Sequence, residues 1–175
     1  MGPTTVNDLP AHVLFVHCVV VLVPLAAVLL ILAVCWPAAR IRLGLITPLI
    51  AFVALVLVPL TTNSGEWLER HIPRDPLVRQ HTQLGDQLLI WSAAVFLLSV
   101  AWWVMHSERA TGWLRRRFHR PPTVTVHRAV AIFVAALAVV VAVGSVVQVY
   151  RIGDSGSRAV WHDRATEQPR STPQR

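Results

Sequence analysis

The chain has 175 residues, 54% of them hydrophobic and 14% charged, with a net charge of +7. Those proportions exclude an ordinary water-soluble enzyme, in which about a quarter of the residues are charged. All 16 basic residues are arginine and lie between long apolar runs, which is a pattern of membrane topology, so no nucleic-acid partner is expected.

The first apolar run, Val13 to Trp36, carries no charge and is long enough to cross a hydrocarbon core of about 30 Å. It exceeds the apolar stretch of about 7–15 residues in a cleaved signal, and no basic residue precedes it. A helix over 11–36 is predicted, with Cys18 and Cys35 about 25 Å apart along it and unable to pair. The second run, Leu43 to Leu60, follows a six-residue connection and predicts a hairpin partner over 43–61. The third run is Leu88 to Met105. Its helix is expected to begin earlier, because Asp75 then Pro76 offers a capping carboxylate followed by a residue with no N–H to satisfy. A span over 76–105 would be about 45 Å long and stand proud of the membrane. The fourth, 128–150, is rich in Val and Ala and carries Gly144 and Ser145, small enough for close helix approach. Pro24, Pro48 and Pro59 inside these runs predict kinks or local breaks. Beyond Tyr150 the sequence turns polar. Residues 1–160 are therefore read as one all-α domain, an integral membrane antiparallel four-helix bundle, and 161–175 as a polar, disordered tail.

Arginine is biased toward two connections. The 37–42 turn and the 106–128 segment hold eight, against six beside the opposite span ends, which places both connections in the cytoplasm and both termini outside a plasma membrane. Trp36, Trp102, Trp103 and Trp113 then mark the inner interface, and Trp67, Tyr150 and Trp161 the outer one.

An ionisable side chain at membrane depth is costly and is a functional candidate by default. On this topology His12, His17, Glu66, Glu69, His71, His81, Asp86, Arg151 and Asp154 all gather at the outer end. His17 sits roughly 10 Å below the start of its helix, while His12 is interfacial. His81 and Gly85 lie one turn apart on one face, so a flat ligand there would meet a ring and then a gap. Imidazoles from two facing helices can hold haem b by giving one axial nitrogen each, and His17 with His81 is the pair placed to do so. Three readings stay open for that pair: hydrogen bonds to carboxylates or carbonyls, haem b, or a metal ion. A second haem would need His106 and His127, both at helix ends with arginine nearby. Asp86 needs a partner, with Arg151, His17 or His12 at similar depth, as a structural ion pair or as part of a proton relay. Glu66 and Glu69, on a short helical turn begun by Thr62, Asn63 or Ser64, form with His71 either a solvated loop face or a divalent-cation site. Arg115, Arg116 and Arg117, beside Trp113 and Phe118, suit a basic amphipathic segment on anionic lipid. Phosphate loops, paired-Cys metal motifs, hydrolase elbows and triad spacings are absent from the sequence, so enzymatic activity is not indicated.

Four stretches occur together: Leu9-Pro10-Ala11-His12 through His17, Val58-Pro59-Leu60-Thr61-Thr62 through Trp67, His81 with Leu84-Gly85-Asp86, and Val149-Tyr150-Arg151-Ile152-Gly153-Asp154-Ser155-Gly156. From about Leu9 to Trp161 the chain resembles a bacterial four-helix integral membrane protein family of unknown function, and its actinobacterial branch in particular. Relatives of this kind are sometimes joined to a Rieske iron–sulfur domain, and the helix-borne histidines are similar to those of small membrane cytochromes b. The resemblance thus implies redox work. Many relatives carry His in a Gly-x-x-Gly turn after the fourth helix, where this chain has Asp154. With no Rieske segment following here, a redox partner would be a separate chain or a larger membrane complex. Two classes of function result: an accessory electron-transfer subunit with haem b between His17 and His81, or a non-enzymatic partner-binding subunit or small ion or proton pathway using Asp86 and Arg151.

Overall fold

The computed structural model describes residues 5–6, 9–70, 75–107, 112 and 124–166. A two-residue antiparallel pairing of β1 (Thr5–Val6) with β2 (Leu9–Pro10) precedes the helices. The helices are α1 (Ala11–Cys35), the short α2 (Pro37–Leu43), α3 (Ile46–Glu69), α4 (Pro76–His106) and α5 (Val124–Thr166). Four of them, α1, α3, α4 and α5, are long and apolar enough to cross a membrane. They pack as a square in which α3 and α5 each contact both α1 and α4, while α1 and α4 lie on the diagonal. The chain is an all-α, antiparallel four-helix membrane bundle.

Lipid is as apolar as leucine, so helices in it associate through close packing and hydrogen bonds. The interior accordingly uses small side chains: Ala26, Ala27, Ala51, Ala54, Ala138, Ala142 and Ser145 are all buried. One core layer joins Val19, Val23, Ala54, Val58, Leu88 and Val149, and a second joins Ala26, Leu30, Ala51, Val95 and Ala138. Between α4 and α5 the Trp91 ring occupies the space a β-carbon of Gly144 would need. Large apolar residues such as Val21, Ile90, Phe133 and Val140 point outward, as a lipid-facing surface requires.

The Asp75 cap forms as the sequence suggests, its Oδ1 accepting from the Leu77 N–H at 2.8 Å with Pro76 opening the helix. The turn from α2 into α3 is made at Gly44, whose φ of 44° suits glycine. Three local expectations are corrected. Pro24 and Pro59 make no break, sitting inside uninterrupted helices, and Pro48 lies in the first turn of α3, where a missing N–H costs nothing. Residues 62–69 are no separate turn but the end of α3, in which Thr61, Thr62 and Ser64 turn their hydroxyls onto carbonyls three or four residues back in place of capping a new helix. Trp102 is no interfacial belt residue. It is buried, and its indole Nε1–H donates to the Ala33 carbonyl at 2.9 Å.

The helix that contains the fourth span runs on to Thr166, 43 residues in all, or about 65 Å. Gly153 and Gly156 are helical rather than a turn. With the first turns of α4, this extension carries one end of the bundle well past the length a hydrocarbon core needs.

Candidate functional site

At the end where α3 closes and α4 begins, a cavity of about 130 Å³ opens between α1, α3, α4 and α5. Its floor is apolar, with Val19, Val58, Leu88 and Val149. Its upper wall carries His81 and Gly85 from one face of α4, together with Asp86, Glu66 and Glu69. Gly85 leaves open space, since an added β-carbon would meet only Thr62 Cγ2, at 3.9 Å. Outside this cavity a polar cleft continues past Arg70, Arg79 and Gln83.

His81 is the most constrained polar group of the site. Its Nδ1 lies 3.1 Å from the Ile152 carbonyl oxygen and 3.2 Å from Ser155 Oγ. The Ser155 hydroxyl hydrogen is already directed at that same carbonyl, at 2.9 Å. Both neighbours therefore offer lone pairs only, so Nδ1 carries the proton and donates, and in the neutral ring Nε2 is the acceptor. The ring lies against Gly156, where a β-carbon would come within 3.0 Å of Cε1. Any larger residue at 156 would push the imidazole off its seat.

The hydroxyls of the site are spent on their own helices. Thr61 donates to Leu57, Thr62 to Pro59 and Thr82 to Arg79. What lines the cavity beside the His81 ring is thus mainly acceptor, the carboxylates of Glu66, Glu69 and Asp86. Glu66 also receives Arg70 at 3.2 Å in an exposed pair one turn apart, a contact of small energetic weight.

The remaining candidates are placed elsewhere. His17 is exposed on α1 and does not line the cavity, although Val16, Val19 and Val20 around it do. Arg151 is exposed, and Asp154 pairs at 3.0 Å with Arg158 along α5. Asp86 makes no ion pair or hydrogen bond among the described residues, so neither Arg151 nor His17 is its partner. Among the described residues no group of three or more His, Cys, Asp or Glu is arranged to hold a metal ion. The side chains of His12 and His127 lie outside the described residues, as do His71, His119, Trp113, Phe118, Arg109, Arg115, Arg116, Arg117 and Arg120, and the 167–175 end of the tail. Ile152, Ser155 and Gly156 are site residues that sequence reading missed, because Gly153 and Gly156 suggested that the helix had already ended.

A model of a family described as predicted membrane proteins, DUF2231, matches residues 8–169. The chain belongs to the DUF2231 family. The match takes in all four DUF2231 spans and every residue of the cavity wall. Neither the curated proteins nor the solved structures contain a match to the chain.

Proposed function

We propose that this DUF2231 protein is a non-enzymatic membrane subunit that binds a lipid-soluble amphiphile whose head donates hydrogen bonds, either hydroxylic or cationic. The observation that carries this reading is the acceptor character of the cavity wall above an apolar floor. A cavity near 130 Å³ suits one ring or a short chain segment, since an apolar hole of about 150 Å³ takes up benzene. Solvent extraction of the purified full-length protein, followed by mass spectrometry, tests it. One equivalent of such a lipid is expected, together with its loss in Gly85→Leu, which fills the cavity from a position with room for a side chain. An empty wild-type protein, or one whose bound lipid is indifferent to Gly85→Leu, overturns the reading.

The accessory electron-transfer reading rests on His81, because a ring nitrogen held by a carbonyl is how proteins orient a ligating imidazole. A bis-histidine haem b needs a second ring on the same cavity, and among the described residues only His81 lines it, so the described donors do not fit that group and no step is drawn through it. An oxidised-minus-reduced spectrum showing a stoichiometric b-type band, lost in both His17→Ala and His81→Ala, would reverse this ranking and call for a separate redox partner chain.

The proposed sidedness follows the arginine bias, with both termini outside a plasma membrane. In a cysteine-free background, a cysteine at 70 should react with an impermeant maleimide in intact cells and one at 116 should not. The opposite pattern inverts the orientation.

A further inference from the structure

The opposite end of the bundle holds a second and larger cavity, of about 400 Å³, between the end of α1, α2, the start of α3 and the end of α4. Its wall includes Arg40, Gly44, Thr47, Trp102 and His106, with no carboxylate among the described lining residues. Thr47 is only 3% exposed, yet its Oγ1 is the one buried side-chain polar atom without a hydrogen-bond partner among the described residues. The other buried hydroxyls behave differently: Thr61, Ser92, Ser99, Ser145 and Ser155 each donate to a carbonyl three or four residues back. Thr47 is the second residue of α3, so the carbonyls at those offsets belong to Leu43 and Gly44, outside the helix. Its hydroxyl therefore has no partner in its own helix, at a residue that lines the cavity. An unpaired buried hydroxyl is costly, and native structures keep one where something else completes it.

The same position supplies more donors. The N–H groups of Ile46 and Thr47 belong to the first turn of a 24-residue helix and have no acceptor inside it, and the helix dipole places partial positive charge there. Leu49 N–H already bonds to the Leu45 carbonyl at 3.1 Å, and Pro48 has no N–H. Arg40 brings a full charge. Its guanidinium carbon lies 5.9 Å from the centre of the Trp102 ring, which is itself hydrogen-bonded to Ala33 and packed at a 40° tilt against His106 with ring centres 4.2 Å apart. Arg40, Thr47 and the start of α3 thus line one roomy space with no carboxylate among its described lining residues.

We propose that this cavity binds a phosphate-bearing anion. Arg40 supplies the charge, and Thr47 Oγ1–H with the leading N–H groups of α3 supplies the neutral donors. A tetrahedral group with several acceptor oxygens matches that donor set. Two sources present this chemistry, the headgroup of an anionic phospholipid and free phosphate, and the experiment separates them.

The purified full-length protein in an uncharged maltoside is titrated while its thermal unfolding midpoint is followed. The probes are short-chain phosphatidylglycerol, short-chain diacylglycerol, and sodium phosphate against sodium chloride at equal ionic strength. A saturable rise is expected with phosphatidylglycerol or with phosphate, and none with diacylglycerol or chloride. A response to phosphatidylglycerol alone assigns the lipid, and any response to phosphate shows that the free anion suffices. Arg40→Gln and Thr47→Val should each weaken the apparent affinity by about tenfold or more, the scale of one hydrogen bond to a charged group. Without anion, Thr47→Val should unfold at or above the wild-type midpoint, so a lost response in that variant is not a folding defect. No saturable response to either anion, an equal response to diacylglycerol, or an affinity unchanged in either variant overturns the proposal.

Discussion

The two ends of α3 carry threonines in opposite circumstances. Thr61 and Thr62, late in the helix, have carbonyls behind them and give their hydroxyl hydrogens to the backbone, so the cavity beside them is left with acceptors. Thr47, at the start, has no helical carbonyl behind it, and the cavity beside it is left with donors and with Arg40. The direction of one helix thus sets the hydrogen-bonding character of two sites, and its dipole acts in the same sense, positive at its start and negative at its end. One end should favour donor-headed ligands and the other anions.

The strongest perturbation should leave that contrast intact while weakening both ends together. Gly144→Ala forces the Trp91 ring away from α5, and overpacking of this kind costs about 1–3 kcal/mol; the unfolding midpoint in detergent should fall, with both ligand responses retained in the fraction still folded. His81→Ala strikes one end only. It leaves the Ile152 and Ser155 acceptors without their ring donor and should cost about 1–2 kcal/mol, with amide exchange accelerating in α5 beyond Tyr150 and unchanged near Thr47. Thr47→Val should act with the opposite sign, stabilising the anion-free protein by up to about 1 kcal/mol because the orphaned hydroxyl is gone; a clear destabilisation would mean that the hydroxyl has a partner. Least affected should be Arg70→Gln, which removes an exposed pair one turn apart and should change stability by less than about 0.5 kcal/mol.

The spans were legible because an apolar run of about 18 residues or more has few fates other than crossing a membrane. The Asp75-Pro76 start was legible because capping chemistry is local. What stayed hidden depended on three-dimensional neighbours. Thr62, Asn63 and Ser64 read as the start of a separate helical turn, whereas the hydroxyls of Thr62 and Ser64 bond back to carbonyls of α3, which runs on through them. Gly153 and Gly156 read as a turn, whereas Gly156 is the seat of a histidine 75 positions earlier in the chain. Of the site, His81 and Gly85 could be placed on one face by spacing alone. The exposure of His17 could not, because it depends on how α1 is rotated against its neighbours, which the all-round apolar character of Val13 to Trp36 does not encode. Thr47 left no signal in the sequence, being one threonine among apolar residues.

The continuity of α5 has a consequence for how its two halves communicate. Residues 124–166 contain no proline, so the membrane-embedded half and the part that grips His81 share one helical phase. One alanine inserted after Tyr150 would rotate everything beyond it by about 100°, swinging Ile152, Ser155 and Gly156 off the imidazole while leaving every span at its original length. Four inserted alanines would come back to within about 40° of the starting phase but lift the segment by about 6 Å. The grip on His81 is therefore addressable by indexing the helix, without altering any residue that touches it.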